Sequence, residues 1–270
     1  MPNYQITAIL TLIVNKEKER PMKNIIVRNG TALIKDGKIM LKALAEALPI
    51  ALSPRVWFDA FDTDTIIHTG GLVSEWRDKS GNKFHASQTD DALKPSLVQT
   101  DYYFGDKQML SFNRDVLVGG EPFSTGNINY TVFFVGRAGT NFIGAHMFSF
   151  GSQTGPTGSA FGLKQNSGAD LDHYYSNSAL KTLNAGMGIP NVTTIMMNSG
   201  ARSTRMNKTL RGSDTANGLN LLDSKMYIGG NPTNTLNHSG LICEFIAYDR
   251  ALTPEEIDIT EAYLTEKWIA

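Results

Sequence analysis

Downstream of residue 55 the chain is a succession of short apolar segments set apart by Gly, Asn, Ser and Thr, and that rhythm limits the fold more than any other feature. The segments "RVWFDA", "TVFFVGR", "AHMFSFG", "SAFGLKQ", "TTIMMNS", "TRMNK", "KMYIGG" and "LICEFIAY" read as strands with turn chemistry between them. Successive side chains on a strand point to opposite faces. In "YTVFFVGR" both alternating sets are mostly apolar, so this strand is covered on both sides, as in the middle of a two-sheet sandwich. The expected fold is all-β, a two-sheet antiparallel β-sandwich rather than an open barrel.

With 270 residues the chain can bury a sizeable core in one large domain, alone or with an appendage. Lys plus Arg (25) nearly balances Asp plus Glu (26), which leaves no polyanion-binding surface and argues against nucleic acid as a partner. The single cysteine, Cys243, rules out an internal disulfide framework and sits in an apolar run as a small buried thiol. "AILTLIV" (8–14) is too short to span a bilayer and lacks the flanks of a signal peptide, so neither export nor membrane insertion is expected.

Pro49 and Pro54 mark a linker, and we place a domain boundary there, with residues 50–270 as the main domain. Upstream, residues 22–49 hold the hairpin dipeptides Asn29-Gly30 and Asp36-Gly37 between apolar-rich segments, which predicts a three-stranded meander. So small a meander cannot bury its own apolar face, so it should dock on the main domain, a second copy or a partner. "KALAEAL" then predicts a short helix stopped by Pro49. Residues 1–21 read as a disordered leader. Alternatively, Met22 is the native start, the codons of "NKEKERP" encoding a ribosome-binding sequence; recovery of native peptides from residues 1–15 would refute that.

Near the C-terminus, "EIDITE" (256–261) resembles, as a bare pattern, the catalytic strand of laminarinase-like glycoside hydrolases. Its context argues for a helix instead: Thr253 is an N-cap, Pro254 an N1 proline and Glu256 the acid of a capping box. Ile257, Leu264 and Trp268 then form an apolar stripe. On a helix residues 256 and 258 diverge by roughly 200°, so the acids are expected to scatter into solvent rather than converge on a glycosidic bond. His68, His85, His146, His173 and His238 lack helical metal-site spacing. A phosphate loop and a GxSxG elbow are missing as well.

Two segments are candidates for binding. In "WRDKSGNKFHA", Asp78 and Asn82 either hold a polar turn through backbone amides or serve as oxygen ligands for a calcium ion. In "DLDHYYSNS", Asp172, His173, Tyr174, Tyr175 and Asn177 form a loop-like segment with the aromatic and polar groups that glycan binding uses. If that segment is a strand, only one of the two tyrosines is displayed. "DYYFGD" (101–106) poses the same question, while Trp57 and Trp76 read as core.

Three blocks together resemble the concanavalin A-like, laminin G-like jelly-roll domains of bacterial surface and phage virion proteins. They are "VWFDAFDTDTI" with "VSEWRDKSGNKFHASQ", then "YTVFFVGRA", and finally "KMYIGG" through "LICEFIAYDRALTPEEIDITEAYLTEKW". The resemblance covers about residues 50–270 and implies a jelly roll closed by a short C-terminal helix, used mostly to bind glycans or proteins. Relatives often carry Asn-Gly where this chain has Asn207-Lys208, and lysine disfavours the positive φ such a turn needs. The expectation is a non-enzymatic structural or adhesive module, a capsid-decoration or tail-fibre component of a phage virion, with glycan binding open to it. It would be a homo-oligomer attached to other virion or surface proteins through residues 22–49, requiring no cofactor, with Ca2+ as an optional ligand. The rivals are a surface lectin and a laminarinase-like hydrolase or lyase.

Overall fold

The structure, a computed structural model, describes residues 34–35, 38–39, 48–139, 143–152, 159–166, 170–175, 178–182, 188–216, 219–233 and 235–269. The chain divides into two compact units, Met1–Ser53 and Pro54–Ala270. In the first, strands β1 (Ile34–Lys35) and β2 (Lys38–Ile39) pair antiparallel, with Lys35 opposite Lys38, the two-residue spacing expected around Asp36-Gly37. The leader, the Asn29-Gly30 turn, Asp36-Gly37 itself and most of "KALAEAL" lie outside the described residues. Pro49 does not stop a helix as expected: residues 48–51 are helical, and the Leu52 amide donates to the carbonyls of Leu48 and Pro49 at 3.4 and 3.2 Å. The ring-fixed φ of proline is itself a helical value, so a proline early in a turn is compatible with it.

The second unit is built from β3 (Val56–Asp59), β4 (Ile66–Thr69), β5 (Leu72–Trp76), β6 (Ala86–Ser87), β7 (Ser96–Val98), β8 (Met109–Asn113), β9 (Leu117–Gly119) and β10 (Tyr130–Ala138). It continues through β11 (His146–Gly151), β12 (Ala160–Gln165), β13 (Leu171–Tyr175), β14 (Ser178–Thr182), β15 (Asn191–Asn198), β16 (Ala201–Met206), β17 (Thr209–Thr215), β18 (Met226–Ile228) and β19 (Ser239–Tyr248). Helix α1 (Pro254–Trp268) follows. One layer runs β17-β16-β15-β10-β19, and β19 pairs beyond that with both β3 and β8. The other runs β14-β13-β12-β11-β18-β9-β6-β5, and β7 joins β5 to β8. All these pairings are antiparallel, and the result is the expected two-layer sandwich.

The layers meet through aromatic rings, because alternate residues of each strand face inward. Phe245 of β19 lies 5.0 Å from Phe148 of β11, and Tyr130 of β10 stacks on Phe161 of β12 at 3.9 Å. The other face of β10 is covered too, as its doubly apolar pattern predicts: α1 packs on β10 and β15, and Thr131 bonds the Arg250 carbonyl and the Leu252 amide, each at 3.0 Å. His238 lies within the core, with Phe112 and Phe134 rings both 6.4 Å away. Among the described residues neither of its ring nitrogens has a hydrogen-bond partner, and burial lowers its pKa to about 3. The Asn207-Lys208 turn takes positive φ at both residues (47° and 67°), with Met206 opposite Thr209, the arrangement of a type I′ hairpin. Lysine is accommodated there because Asn207 is anchored by reciprocal 2.9 Å bonds with the Val192 backbone.

Helix α1 carries the complete capping box, Thr253 Oγ1 accepting from the Glu256 amide and Glu256 accepting from the Thr253 amide. Ile257, Leu264 and Trp268 are buried, as the stripe predicts. The acids do not scatter into solvent, which corrects that expectation. Glu261 is fully buried, accepting from Thr194 Oγ1 at 2.7 Å and pairing with Arg205 at 3.0 Å, while Asp258 pairs with the same guanidinium at 2.7 Å. Residues three apart are neighbours on a helix surface, so one arginine bridges both. Glu256 turns away to Arg250, at 2.7 Å.

Candidate functional site

The "DLDHYY" segment is strand β13 rather than a loop, and all four described candidates on it are buried, which corrects the expectation of a displayed aromatic plate. Alternation holds. His173 and Tyr175 face the opposite layer, where His173 Nε2 meets the Tyr130 hydroxyl at 2.7 Å and the Arg202 guanidinium lies 4.9 Å from the Tyr175 ring. Burial, reinforced by Arg202, holds the His173 pKa well below its ordinary value. Tyr174 and Asp172 take the other face. There Tyr174 meets His146 edge-on at 5.0 Å and the Lys164 ammonium at 5.2 Å, and Asp172 accepts from Asn166 at 3.1 Å. Tyr174 is only 5% exposed, so it offers no stacking face. Asn177 lies outside the described residues.

Asp78 is a turn-holding residue in this structure. One carboxylate oxygen accepts from the Trp57 and Ser80 amides at 2.9 and 2.8 Å, the other from the Ser80 hydroxyl and the Phe84 amide at 2.7 and 3.0 Å. Asn82 donates its amide to the Pro54 and Arg55 carbonyls at 3.0 and 3.1 Å, which ties the loop to the start of β3. Among the described residues no group of three or more His, Cys, Asp or Glu side chains is placed to hold a metal ion.

An outward aromatic feature stands instead at "DYYFG", between β7 and β8. Asp101 and Gly105 close a tight turn, the Asp101 amide donating to Gly105 O at 3.1 Å and the Gly105 amide to Asp101 O at 2.9 Å. Gly105 has φ of +63°, a value that a side chain would make costly. The Asp101 carboxylate also accepts from the Tyr103 amide at 2.9 Å, the local bond that favours Asp at the start of such turns. With the turn pinned, Tyr102 projects at 92% exposure and Tyr103 at 44%. Their rings are nearly perpendicular (88°), with centroids 5.0 Å apart.

Two contacts brace this tip. Arg137, from the end of β10, pairs with Asp101 at 2.9 Å and lies 5.4 Å from the Tyr103 ring. It follows a bulge at Val135/Gly136, where a Cβ on Gly136 would stand 2.4 Å from the Leu241 carbonyl oxygen. Phe104 turns inward, 1% exposed, edge-on to Trp268 of α1 at 6.3 Å. Phe61 flanks Trp268 from another side at 6.2 Å and is itself 52% exposed.

Trp268 is in turn fixed by a buried charge cluster beneath α1. Glu244, opposite Asp59 across β19 and β3, is fully buried and accepts from Trp268 Nε1 (2.6 Å), Trp57 Nε1 (2.8 Å), the Tyr263 hydroxyl (3.1 Å) and Lys267 Nζ (2.7 Å). Lys267 also pairs with Asp59 at 2.7 Å, and Lys79 holds the other Asp59 oxygen at 2.9 Å. Burial and the neighbouring Asp59 charge raise the Glu244 pKa, and Lys267 offsets part of that. Burial pushes Asp59 upward too, but the two ammonium groups outweigh it and hold its pKa below the ordinary value. Sequence reasoning missed this cluster, in which partners such as Trp57 and Glu244 lie 187 residues apart.

No known protein family and no curated protein matches the chain in sequence. Solved structures do match it in shape. The binding domain of Paraclostridial Mosquitocidal Protein 1 superposes with a TM-score of 0.55 at 14% identity, over 81% of this chain and 53% of that one. Domain 4 of AbnA, a GH43 extracellular arabinanase from Geobacillus stearothermophilus, in complex with arabinotriose, gives 0.55 at 13%, over 77% and 98%. The botulinum neurotoxin serotype D ligand binding domain, in complex with N-acetylneuraminic acid, gives 0.54 at 14%, over 81% and 52%. The chain thus spans about half of two of these structures and nearly all of the third. At such identities the likeness is one of fold, and the chain shares a jelly-roll-like antiparallel β-sandwich with these domains.

Proposed function

We propose that this chain is a non-enzymatic carbohydrate-binding module that presents Tyr102 and Tyr103 to a glycan. The observation that carries the reading is the exposed tyrosine pair on a turn held rigid by Asp101, Arg137 and Phe104. Exposed aromatic faces are what the C–H surface of a sugar stacks on, and a braced turn lowers the ordering cost of presenting them. Two of the similar folds, those with arabinotriose and N-acetylneuraminic acid, hold sugars, which supports the reading. A glycan array probed with the wild type and with Tyr102→Ala/Tyr103→Ala, each with and without Ca2+, tests it. Binding that the double variant loses while keeping its melting temperature supports the proposal; binding unchanged in the variant refutes the site.

The finer assignment, a phage capsid-decoration or tail-fibre component attached through residues 22–49, is supported by the resemblance to virion jelly rolls and by an N-terminal meander too small to bury its own apolar face. Detection of the chain by mass spectrometry in purified particles supports it, and absence from them removes it. The hydrolase rival would replace the binding reading if turnover of a β-glucan were found and lost on mutating a paired carboxylate.

A further inference from the structure

The charge arrangement at the tyrosine tip indicates which sugars suit it, and this step rests on the glycan-binding reading of that tip. We infer that the site takes neutral sugar residues within a chain, and not carboxylated terminal sugars. Arg137 is the cation beside the rings; one of its terminal nitrogens donates to Asp101 at 2.9 Å, and the guanidinium lies 5.4 Å from the Tyr103 ring. Across residues 101–107 and Arg137 the acids Asp101 and Asp106 balance the bases Lys107 and Arg137, so the tip presents no net charge. A sugar carboxylate on Arg137 would share the guanidinium with the Asp101 carboxylate, whose like charge opposes it, and that same carboxylate braces the Tyr103 amide at 2.9 Å. With Asp101 already neutralising Arg137, a second carboxylate gains little there, and pulling Asp101 away would cost the preorganisation of the turn.

The shape points the same way. Two perpendicular rings make a step, with the broad face of Tyr102 open and Tyr103 as a low riser partly covered by Arg137. Among the described residues none closes over Tyr102, which is 92% exposed, so the tip suits a glycan chain passing over it. Stacking of C–H groups on a ring is also insensitive to salt, unlike pairing of charges.

Isothermal titration with neutral tri- to hexasaccharides and with N-acetylneuraminic acid-terminated oligosaccharides, at about 50 and about 500 mM NaCl, separates the cases. The expected result is binding of a neutral oligosaccharide that is equal at both salts, no tighter binding of the sialylated probes, and a loss of about tenfold or more in Tyr102→Ala. In Asp101→Asn, which frees Arg137, salt-sensitive affinity for the sialylated probe should appear. Wild-type preference for the sialylated probe, weakened by salt, overturns the inference while leaving glycan binding in place. Failure of every probe to bind overturns the proposed function and this inference together.

Discussion

Replacing Lys267 with methionine would test whether the charge cluster under α1 fastens the helix to the sandwich. Methionine keeps the stem that lies against Tyr263 and Trp268, whose rings are 5.5 and 5.2 Å from the ammonium, and removes only the cation. Two buried carboxylates, Asp59 and Glu244, then lose the group they share at 2.7 Å each. Breaking a buried pair costs about 3–5 kcal/mol. The lower end applies, because Asp59 keeps Lys79 and Glu244 keeps three donors. A loss of about 3 kcal/mol corresponds to roughly 6–12 °C in melting temperature for a unit of this size. The pH dependence supplies a second readout. Glu244 has a raised folded-state pKa, so its ionised form penalises the fold above that value, and the penalty disappears as pH falls toward the ordinary 4.5. Losing Lys267 raises that pKa further, since its charge and hydrogen bond lower it, alongside the bond from Trp268. The gap between variant and wild type in urea denaturation should therefore narrow from neutral pH to about pH 5, with a proton between the two carboxylates standing in for the lysine. A gap under about 1 kcal/mol at neutral pH, or one that does not change with pH, would refute the argument.

His238→Leu should remove part of the acid lability of the domain. A histidine whose folded pKa is held down at about 3 contributes stability that is present above the ordinary 6.5 and lost as pH falls toward the folded value, about 2 kcal/mol by pH 5. Parallel melting curves for variant and wild type between pH 7.5 and about 5 would dismiss it. Lys208→Gly should stabilise the β16–β17 hairpin by about 1 kcal/mol, since Lys208 sits at a φ of 67° that glycine adopts freely. A midpoint in urea that falls or stays put would show the turn is not strained. Tyr102→Ala, at a side chain exposed almost completely, should shift stability by less than about 0.5 kcal/mol, so any loss of glycan binding belongs to the ring itself.

What could be read from residue order was local. Strand alternation marked β10 as a central strand covered on both sides, and Thr253, Pro254 and Glu256 announced α1 through contacts three residues apart. The fate of side chains across long separations was illegible. Glu261 meets Thr194 and Arg205 only because α1 crosses β15 and β16, so its burial could not follow from helix geometry alone. "DLDHYY" and "DYYFGD" have similar composition, yet one is a strand between two others and the other is a tip. A signal did distinguish them: Asp followed four residues later by Gly is turn chemistry, present at Asp101 and Gly105 and missing from the first segment.

The way the strands join has a mechanical corollary. Because β7 and β8 carry the backbone ladder from one layer into the other, the layers are welded along that side and cannot slide apart without breaking inter-strand hydrogen bonds. The ladder has free edges at β14 and β17, which among the described residues share no backbone pairing and are joined by side chains, Leu180 filling the space over Gly212 and Arg202 bridging Ser178 and Asp214. Fluctuations that admit water should start at that seam, leaving the tyrosine tip on the welded side anchored to the part of the molecule that opens last.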